Sequence, residues 1–196
     1  MSGLFRIDGP IYKFFNIAYY LLIVNFLWII FSLPIISIGA STTAMFYVLR
    51  KVLHDEESGE FRDFWKSFKM NFKQATIIWI GLLMIVGAIF FIIFNKDVFS
   101  EMSDFVFYIG IAICFQVFVI SIYIFPLLSQ FEIGTKDLIR TSFLIGNKHL
   151  LTTVICILIL AILIFLFKFV GWVSFGIYGL SAGYFIDRVT KGYKTK

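Results

Sequence analysis

Charged residues are scarce in this sequence. They make up 15% of its 196 residues, whereas hydrophobic residues make up 60% and the mean hydropathy is +0.94. Average soluble domains carry roughly 25% charged residues. With so few charges, a soluble globule of this size would leave a large apolar surface exposed to water. The composition therefore excludes an ordinary soluble domain and indicates a protein whose surface faces lipid.

Cysteine and histidine are almost absent as well. Cys114 and Cys156 lie in apolar runs without paired spacing, so they form no metal motif and say nothing about the redox compartment. His54 and His149, the only histidines, belong to no zinc motif, nucleophile elbow or phosphate-binding loop. We therefore expect no catalytic residue, no metal and no cofactor, and we do not expect an enzyme.

Long apolar runs set the organisation of the chain. A helix that crosses a membrane needs about 20 largely apolar residues, and closed backbone hydrogen bonding makes helices the plausible spanning elements. One long run, 149–186, is divided at Lys168 and Gly171. The sequence predicts an all-α, polytopic membrane helix bundle that forms a single transmembrane domain over 1–196. Its about five transmembrane helices are expected at 16–39, 75–94, 105–131, 150–167 and 169–186.

The basic residues predict how the bundle is oriented. With five spans, thirteen of the 17 Lys and Arg residues fall on one side of the membrane. Lys and Arg favour the cytoplasmic side, so we expect a cytoplasmic C-terminus and an outside N-terminus. We attribute the net charge of +5 to the basic residues of the cytoplasmic side, and we expect no nucleic-acid partner. Pro34 and Gly39 permit a break, and an extra short span over 35–49 would move the N-terminus to the cytoplasm; this alternative stays open.

A cytoplasmic amphipathic helix is predicted over 61–74. Its apolar residues recur with the spacing of one helical face, and its cations fall on other faces. Aromatic and basic residues together are typical of a helix in the headgroup layer of the lipid bilayer; the alternative is a helix packed on the bundle. The membrane-interface residues would be Phe61, Phe64, Trp65, Phe68, Phe72, Lys66, Lys69 and Lys73.

Small and polar residues inside the spans are candidates for helix packing. Small residues let helix backbones approach closely, and amide side chains bond across helices. The GxxxG of the last span could pack within the bundle or against a second copy in a homo-oligomer. For Asn25 and Gln116, contact with a substrate or ion is the alternative to interhelical bonding. The predicted packing residues are Gly39, Ala40, Ser41, Gly179 and Gly183, and the intramembrane polar residues are Asn25 and Gln116.

A short internal repeat is also visible. LPIIS at 33–37 corresponds to FPLLS at 125–129, and DFWKS at 63–67 corresponds to DLIRT at 137–141. The match is short, so chance competes with duplication. A true repeat would place a span, a cytoplasmic amphipathic helix and a second span twice in succession. Many transporters contain internal repeats, so the pattern slightly favours transport.

Two sequence blocks resemble the YesL-like family of bacterial integral membrane proteins of unknown function. They are LPIISIGASTTA at 33–44 and FRDFWKSFKMNFKQAT at 61–76. The resemblance implies a multi-pass protein of the bacterial cell membrane. Family members are often encoded near carbohydrate uptake transporters, which implies a link to sugar import. The family supplies no catalytic or ligand-binding residue to carry over.

These observations leave the biochemical activity open between two main hypotheses. The first is an accessory or scaffold membrane protein that binds another complex, with a carbohydrate transporter as the expected partner. The second is a small transporter or channel for a small solute. The absence of a charged residue securely at mid-membrane counts against ion-coupled transport.

Overall fold

The computed structural model describes residues 10–54, 59–94, 104–170 and 173–190. Within these ranges the chain is helical and contains no strand, so the predicted all-α class is confirmed. The predicted turn at Gly171 lies outside these ranges, as do Arg6, Lys96 and the basic residues beyond 190. The described α-helices are α1 (Pro10–Ser32), α2 (Ile38–Leu53), α3 (Glu60–Phe94), α4 (Asp104–Leu128), α5 (Thr135–Lys148), α6 (Leu150–Val170) and α7 (Val173–Thr190).

Three of the described helices are long and apolar enough to cross a membrane. The qualifying segments are Phe15–Ser32 in α1, Glu60–Ile92 in α3 and Tyr108–Leu128 in α4. A fourth arises if α5 and α6 are counted as one broken span, since the two helices meet at 93°. The described residues thus supply three or four candidate membrane-spanning helices, and the count of about five stays a prediction.

Helix α3 joins two elements that the sequence suggested separately, the amphipathic helix and the second span. Neither glycine nor proline occurs from Glu60 to Ile80, so nothing interrupts the helix between the two parts. At about 1.5 Å per residue, its 35 residues far exceed a hydrocarbon core of about 30 Å. The predicted span at 75–94 therefore leaves 60–74 beyond the core.

The chain breaks between α1 and α2 at Pro34. Proline has no N–H to continue a helical hydrogen-bond ladder, and a 3-10 turn follows at Ile35–Ser37. The Ser37 hydroxyl donates to the carbonyl oxygens of Phe31 and Pro34, which holds the turn closed. The predicted first span at 16–39 therefore contains this break. The residues of the alternative extra short span, 35–49, form the 3-10 turn and most of α2.

Helix α2 is central to the described bundle and contacts α1, α3, α4 and α7. Its first turns carry small residues and hydroxyls, which allow close approach from several sides. Each hydroxyl bonds to a carbonyl one turn earlier, as Thr43 does to Gly39 at 2.9 Å, so the polar atoms are satisfied inside the bundle. The buried residues of α2 are Gly39, Ala40, Ser41, Thr43, Ala44, Met45, Phe46, Val48 and Leu49.

Two side chains of α3 hold the turns that follow the internal prolines. Trp79 Nε1 donates to the Ile35 carbonyl at 2.9 Å, just after Pro34. Gln74 Nε2 donates to the Ile133 carbonyl at 3.0 Å, in the segment between α4 and α5. Helix α3 thus fixes the ends of both α1 and α4 relative to itself.

Candidate functional site

A group of charged residues gathers where α2 ends. The last turn of α2 and its C-terminal cap carry Arg50, Lys51 and His54, and cations are favoured at the negative end of a helix dipole. Asp63 meets them from the first turn of α3, and Asp187 meets them from the last turn of α7. We call these five residues the polar junction. It joins the consecutive helices α2 and α3 to α7, which is distant in the sequence.

Asp187 is the buried centre of the junction, with 4% of its surface exposed. Arg50 Nε lies 3.3 Å from Oδ1, and His54 Nε2 lies 3.2 Å from Oδ2. The two partners are only partly buried, so water can reach their outer atoms. The imidazole of His54 and the guanidinium of Arg50 thus each contact a different oxygen of the same carboxylate. One buried carboxylate therefore joins the end of α2 to the end of α7.

Asp63 forms the second ion pair of the junction. Its Oδ2 accepts from Lys51 Nζ at 2.9 Å and from the Gly59 backbone N–H at 3.2 Å. Burial alone would raise the pKa of this carboxyl, but the hydrogen bonds and charges of Lys51, Gly59 and Arg62 outweigh it. The net effect holds the pKa of Asp63 below its usual range, because these partners favour the ionised form.

Replacement of Asp63 by Asn is expected to destabilise the protein by about 1.5–3 kcal/mol at pH 7, the range for a hydrogen bond to a charged group. A carboxyl with a lowered native pKa stabilises the fold above its unfolded pKa of about 3.9. The difference between wild type and D63N should therefore persist above that pH and vanish as pH falls through the native pKa. Thermal unfolding in detergent from pH 7 to pH 3 measures it.

The second half of the chain offers a matched control for this experiment. Asp137 occupies the equivalent place in the DLIRT block but is exposed. D137N should leave the unfolding midpoint nearly unchanged at every pH, since surface substitutions usually have small effects. Equal losses in D63N and D137N would contradict the role given to the Lys51 pair.

A small cavity opens beside the junction. Its volume is about 170 Å³, below the roughly 300 Å³ at which typical small-molecule pockets begin. The histidine and carboxylate of the junction line it together with an arginine and a tyrosine, so it is polar on one side. The lining residues are Leu53, His54, Tyr184, Asp187 and Arg188. The cavity is therefore smaller than typical small-molecule pockets, and water can enter it.

The small residues singled out in the sequence lie at helix contacts. A Cβ on Gly39 would stand 2.7 Å from the Ala75 carbonyl oxygen of α3, and one on Gly179 would stand 2.8 Å from Leu49 Cδ1 of α2. Ala40 and Ser41 are fully buried. Gly183 is less constrained, since its Cβ would make an ordinary 3.5 Å contact. Gly39 is therefore the tightest of the five positions, because a backbone atom opposes it.

The two intramembrane amides differ in their surroundings. Asn25 is buried, and its Oδ1 accepts from the Gly176 backbone N–H of α7 at 2.8 Å. Its Nδ2 donates to the Leu21 carbonyl at 2.8 Å, so Asn25 links α1 to α7. Gln116 has a buried Nε2 that finds no hydrogen-bond partner among the described residues.

The amphipathic segment 61–74 shows two distinct faces in α3. Phe64 is fully buried and Phe68 nearly so, and both pack against Phe31 of α1. Phe61 is 57% exposed and Phe72 is also exposed. The cations Lys66, Lys69 and Lys73 are all exposed and lie away from the buried face. Trp65 is half-buried, and Lys69 Nζ lies 4.6 Å from the centroid of its ring. Contact with the membrane interface stays a prediction for this face.

Sequence inspection did not single out Asp63 or Asp187. Asp63 entered only as part of the repeat and the amphipathic segment, and Arg50, the partner of Asp187, is 137 positions away from it. The one sequence signal for Asp187 was its position directly after the apolar run 169–186. That signal marks a helix end equally well, so it could not identify the pairing.

Two comparisons with known proteins each cover part of this chain. Residues 21–93, from the middle of α1 to near the end of α3, match the family model described as "Protein of unknown function, DUF624". YesL of Bacillus subtilis, described as an uncharacterized protein, is 27% identical over 129 residues. The resemblance to the YesL-like family is confirmed. No solved structure matches the chain.

The YesL-like match has a limited extent. It covers 62% of this chain and 59% of the length of YesL, so the aligned part spans less than two thirds of that relative. The DUF624 match includes Arg50, Lys51, His54 and Asp63 but ends before α7. Asp187, the centre of the junction, therefore lies outside the matched family segment.

Proposed function

We propose that this YesL-like chain is a multi-pass membrane protein that acts as an accessory or scaffold component of a carbohydrate uptake system. The observation that carries the proposal is the exposed basic and aromatic face at the start of α3. Phe61 and Met70 are both more than half exposed there, while the opposite face of the same turns fills the core. The bundle does not need this face for its own packing, so lipid and a partner can contact it.

The proposed topology has five membrane crossings, a cytoplasmic C-terminus and no enzymatic activity. The distribution of Lys and Arg supports the orientation. His54, one of the two histidines, is engaged with Asp187, which gives it a structural role. The resemblance to the YesL-like family supports the link to sugar import, because family members are often encoded near carbohydrate transporters.

Site-specific photocrosslinking in native membranes tests the accessory role. A photoreactive phenylalanine at Phe61 or Met70 should capture a transporter subunit, identified by mass spectrometry. The matched control is Phe64, which lies on the same helix but is 0% exposed and should capture only residues of its own chain. Capture of lipid or of the chain itself alone at all three positions would contradict the accessory role.

A small transporter or channel is the second candidate, favoured by the internal repeat. In the structure the two repeat segments share a local feature: the Ser37 hydroxyl donates to the Pro34 carbonyl, and the Ser129 hydroxyl donates to the Pro126 carbonyl, both at 2.7 Å. Duplicated halves are frequent in transporters. Solute flux into liposomes containing the purified protein would distinguish this candidate from a scaffold, which should produce none.

A further inference from the structure

Helix α5 combines a packed face with an unusual exposed surface. Leu138 and Ile145 are buried against the bundle, and Gly146 packs so closely that a Cβ would stand 2.7 Å from Val119 Cγ1 of α4. On the outside, Ile139 is 43% exposed and Phe143 is 44% exposed. These two large apolar side chains, one turn apart, form one flank of α5 that no described element covers; Leu144, which is 53% exposed, lies on the opposite flank near Asp137.

Cations border this apolar flank. Lys136 and Arg140 are both exposed, and at 100° per residue they lie within about 100° of Ile139 and Phe143 around the helix. The first residues of α6 extend the apolar surface, since Leu150 and Leu151 are strongly exposed. An apolar flank edged by cations is the arrangement of a helix that lies at a membrane surface.

The angle between α5 and α6 sets the direction of this surface. The 21 residues of α6 span about 31 Å, enough to cross a hydrocarbon core of about 30 Å. Because α5 meets α6 at 93°, a membrane-crossing α6 places α5 nearly parallel to the membrane plane. Membrane helices are tilted by about 20° on average, and such a tilt keeps α5 close to that plane.

The same pattern of side chains occurs at the start of α3. Both helices contain the same five-residue order: a cation, an acid, a buried apolar residue, a large apolar residue and a second cation. Phe64 and Leu138 are both 0% exposed at the third position. The corresponding residues are Arg62 and Lys136, Asp63 and Asp137, Phe64 and Leu138, Trp65 and Ile139, and Lys66 and Arg140. The repeat thus preserves the exposed cations together with the buried anchor.

We propose that α5 is an in-plane helix that binds anionic phospholipid headgroups. Ile139 and Phe143 insert among the upper acyl chains, and Lys136 and Arg140 contact the phosphates at the same depth. Asp137 is the acidic residue of this helix, and the exposed cations outnumber it. The surface is therefore positively charged, which complements an anionic lipid. This inference rests on the proposed function, because it requires α6 to cross a membrane.

Spin-label accessibility in phosphatidylglycerol-containing liposomes tests the depth of α5. The full chain, with Cys114 and Cys156 replaced by Ala, carries one nitroxide at 143, 137 or 158. Labels at 143 and 158 should be relaxed mainly by oxygen, and the label at 137, on the other flank of α5, mainly by a water-soluble nickel complex. Leu158 is an exposed residue of α6 and reports the membrane span itself.

The outcomes separate the two proposals. A water-exposed label at 143 with a lipid-exposed label at 158 would overturn the in-plane helix and leave the membrane span intact. Water exposure at both 143 and 158 would overturn the span, and the inference with it. Dipolar broadening between labels at 143 in neighbouring molecules would show that a second copy covers the flank, which also overturns lipid binding.

A second measurement tests the headgroup contact. Preference for spin-labelled phosphatidylglycerol over phosphatidylcholine should fall about fivefold for each cation lost, the factor that corresponds to about 1 kcal/mol per basic residue. The variant K136Q/R140Q should show this loss, whereas the charge-conserving variant K136R/R140K should retain the preference. An unchanged preference in K136Q/R140Q would overturn the assignment of these two cations to lipid.

Discussion

The variant D187A is expected to lose about 3 kcal/mol of stability, a large part of the stability of a protein this size. Its carboxylate is buried and holds Arg50 and His54 from another helix. Removing one partner of a buried ion pair typically costs 3–5 kcal/mol, because the other charge remains without compensation. The partial exposure of Arg50 and His54 places the expected loss at the lower end. Unfolding by denaturant in mixed micelles measures it.

A double-mutant cycle shows whether the loss comes from the pair. R50M/D187L replaces both charges with apolar side chains, and such exchanges are often neutral or stabilising. We expect the double variant to be more stable than the single variant D187L, which together with R50M completes the cycle. A double variant that loses the sum of the two single losses would show that Arg50 and Asp187 are not energetically coupled.

The variant G39A is expected to lose about 1–3 kcal/mol, the usual cost of inserting a methyl group into a packed site. Its Cβ would stand 2.7 Å from the Ala75 carbonyl oxygen and 2.9 Å from Trp79 Cβ. The first of these atoms belongs to the backbone of α3, so it cannot move away by a side-chain rotation. We expect α2 and α3 to separate locally, with a lower thermal unfolding midpoint in detergent.

Gly87, in the later part of α3, is the matched control. A Cβ there would meet nothing within 4 Å, and alanine is favoured over glycine inside a helix by about 1 kcal/mol. G87A should therefore be neutral or stabilising under the same conditions. Equal destabilisation of G39A and G87A would contradict close packing as the cause.

The helical class and most helix positions could be predicted from apolar runs. Each predicted span overlaps a described helix, but Lys168 lies inside α6, which ends at Val170, and the predicted turn at Gly171 lies outside the described residues. The continuity of α3 could have been read from the absence of glycine and proline between Glu60 and Ile80. It was missed because the polarity change at Gln74 resembles a boundary between elements. A helix can pass through such a change without a break when no residue disfavours it.

Helix α2 was the largest gap in the prediction. Its first residues are glycine, alanine, serine and threonine, which carry little hydrophobic signal, and yet it is the most enclosed helix of the described bundle. The reason is steric: a helix that touches four others needs small side chains. The polar junction was missed for another reason. Pairing between residues as far apart as Arg50 and Asp187 leaves no local pattern in one sequence.

Two of the bonds that α7 makes to earlier helices have a consequence for biosynthesis. Gly176 bonds to Asn25 across 151 positions, and Asp187 bonds to Arg50 across 137 positions. During translation α1 and α2 are synthesised long before α7. Asn25 and Arg50 therefore lack these partners while most of the chain is translated. Helices α1 and α2 therefore reach their final packing only after the last helix has been synthesised, which makes assembly of the bundle a late event.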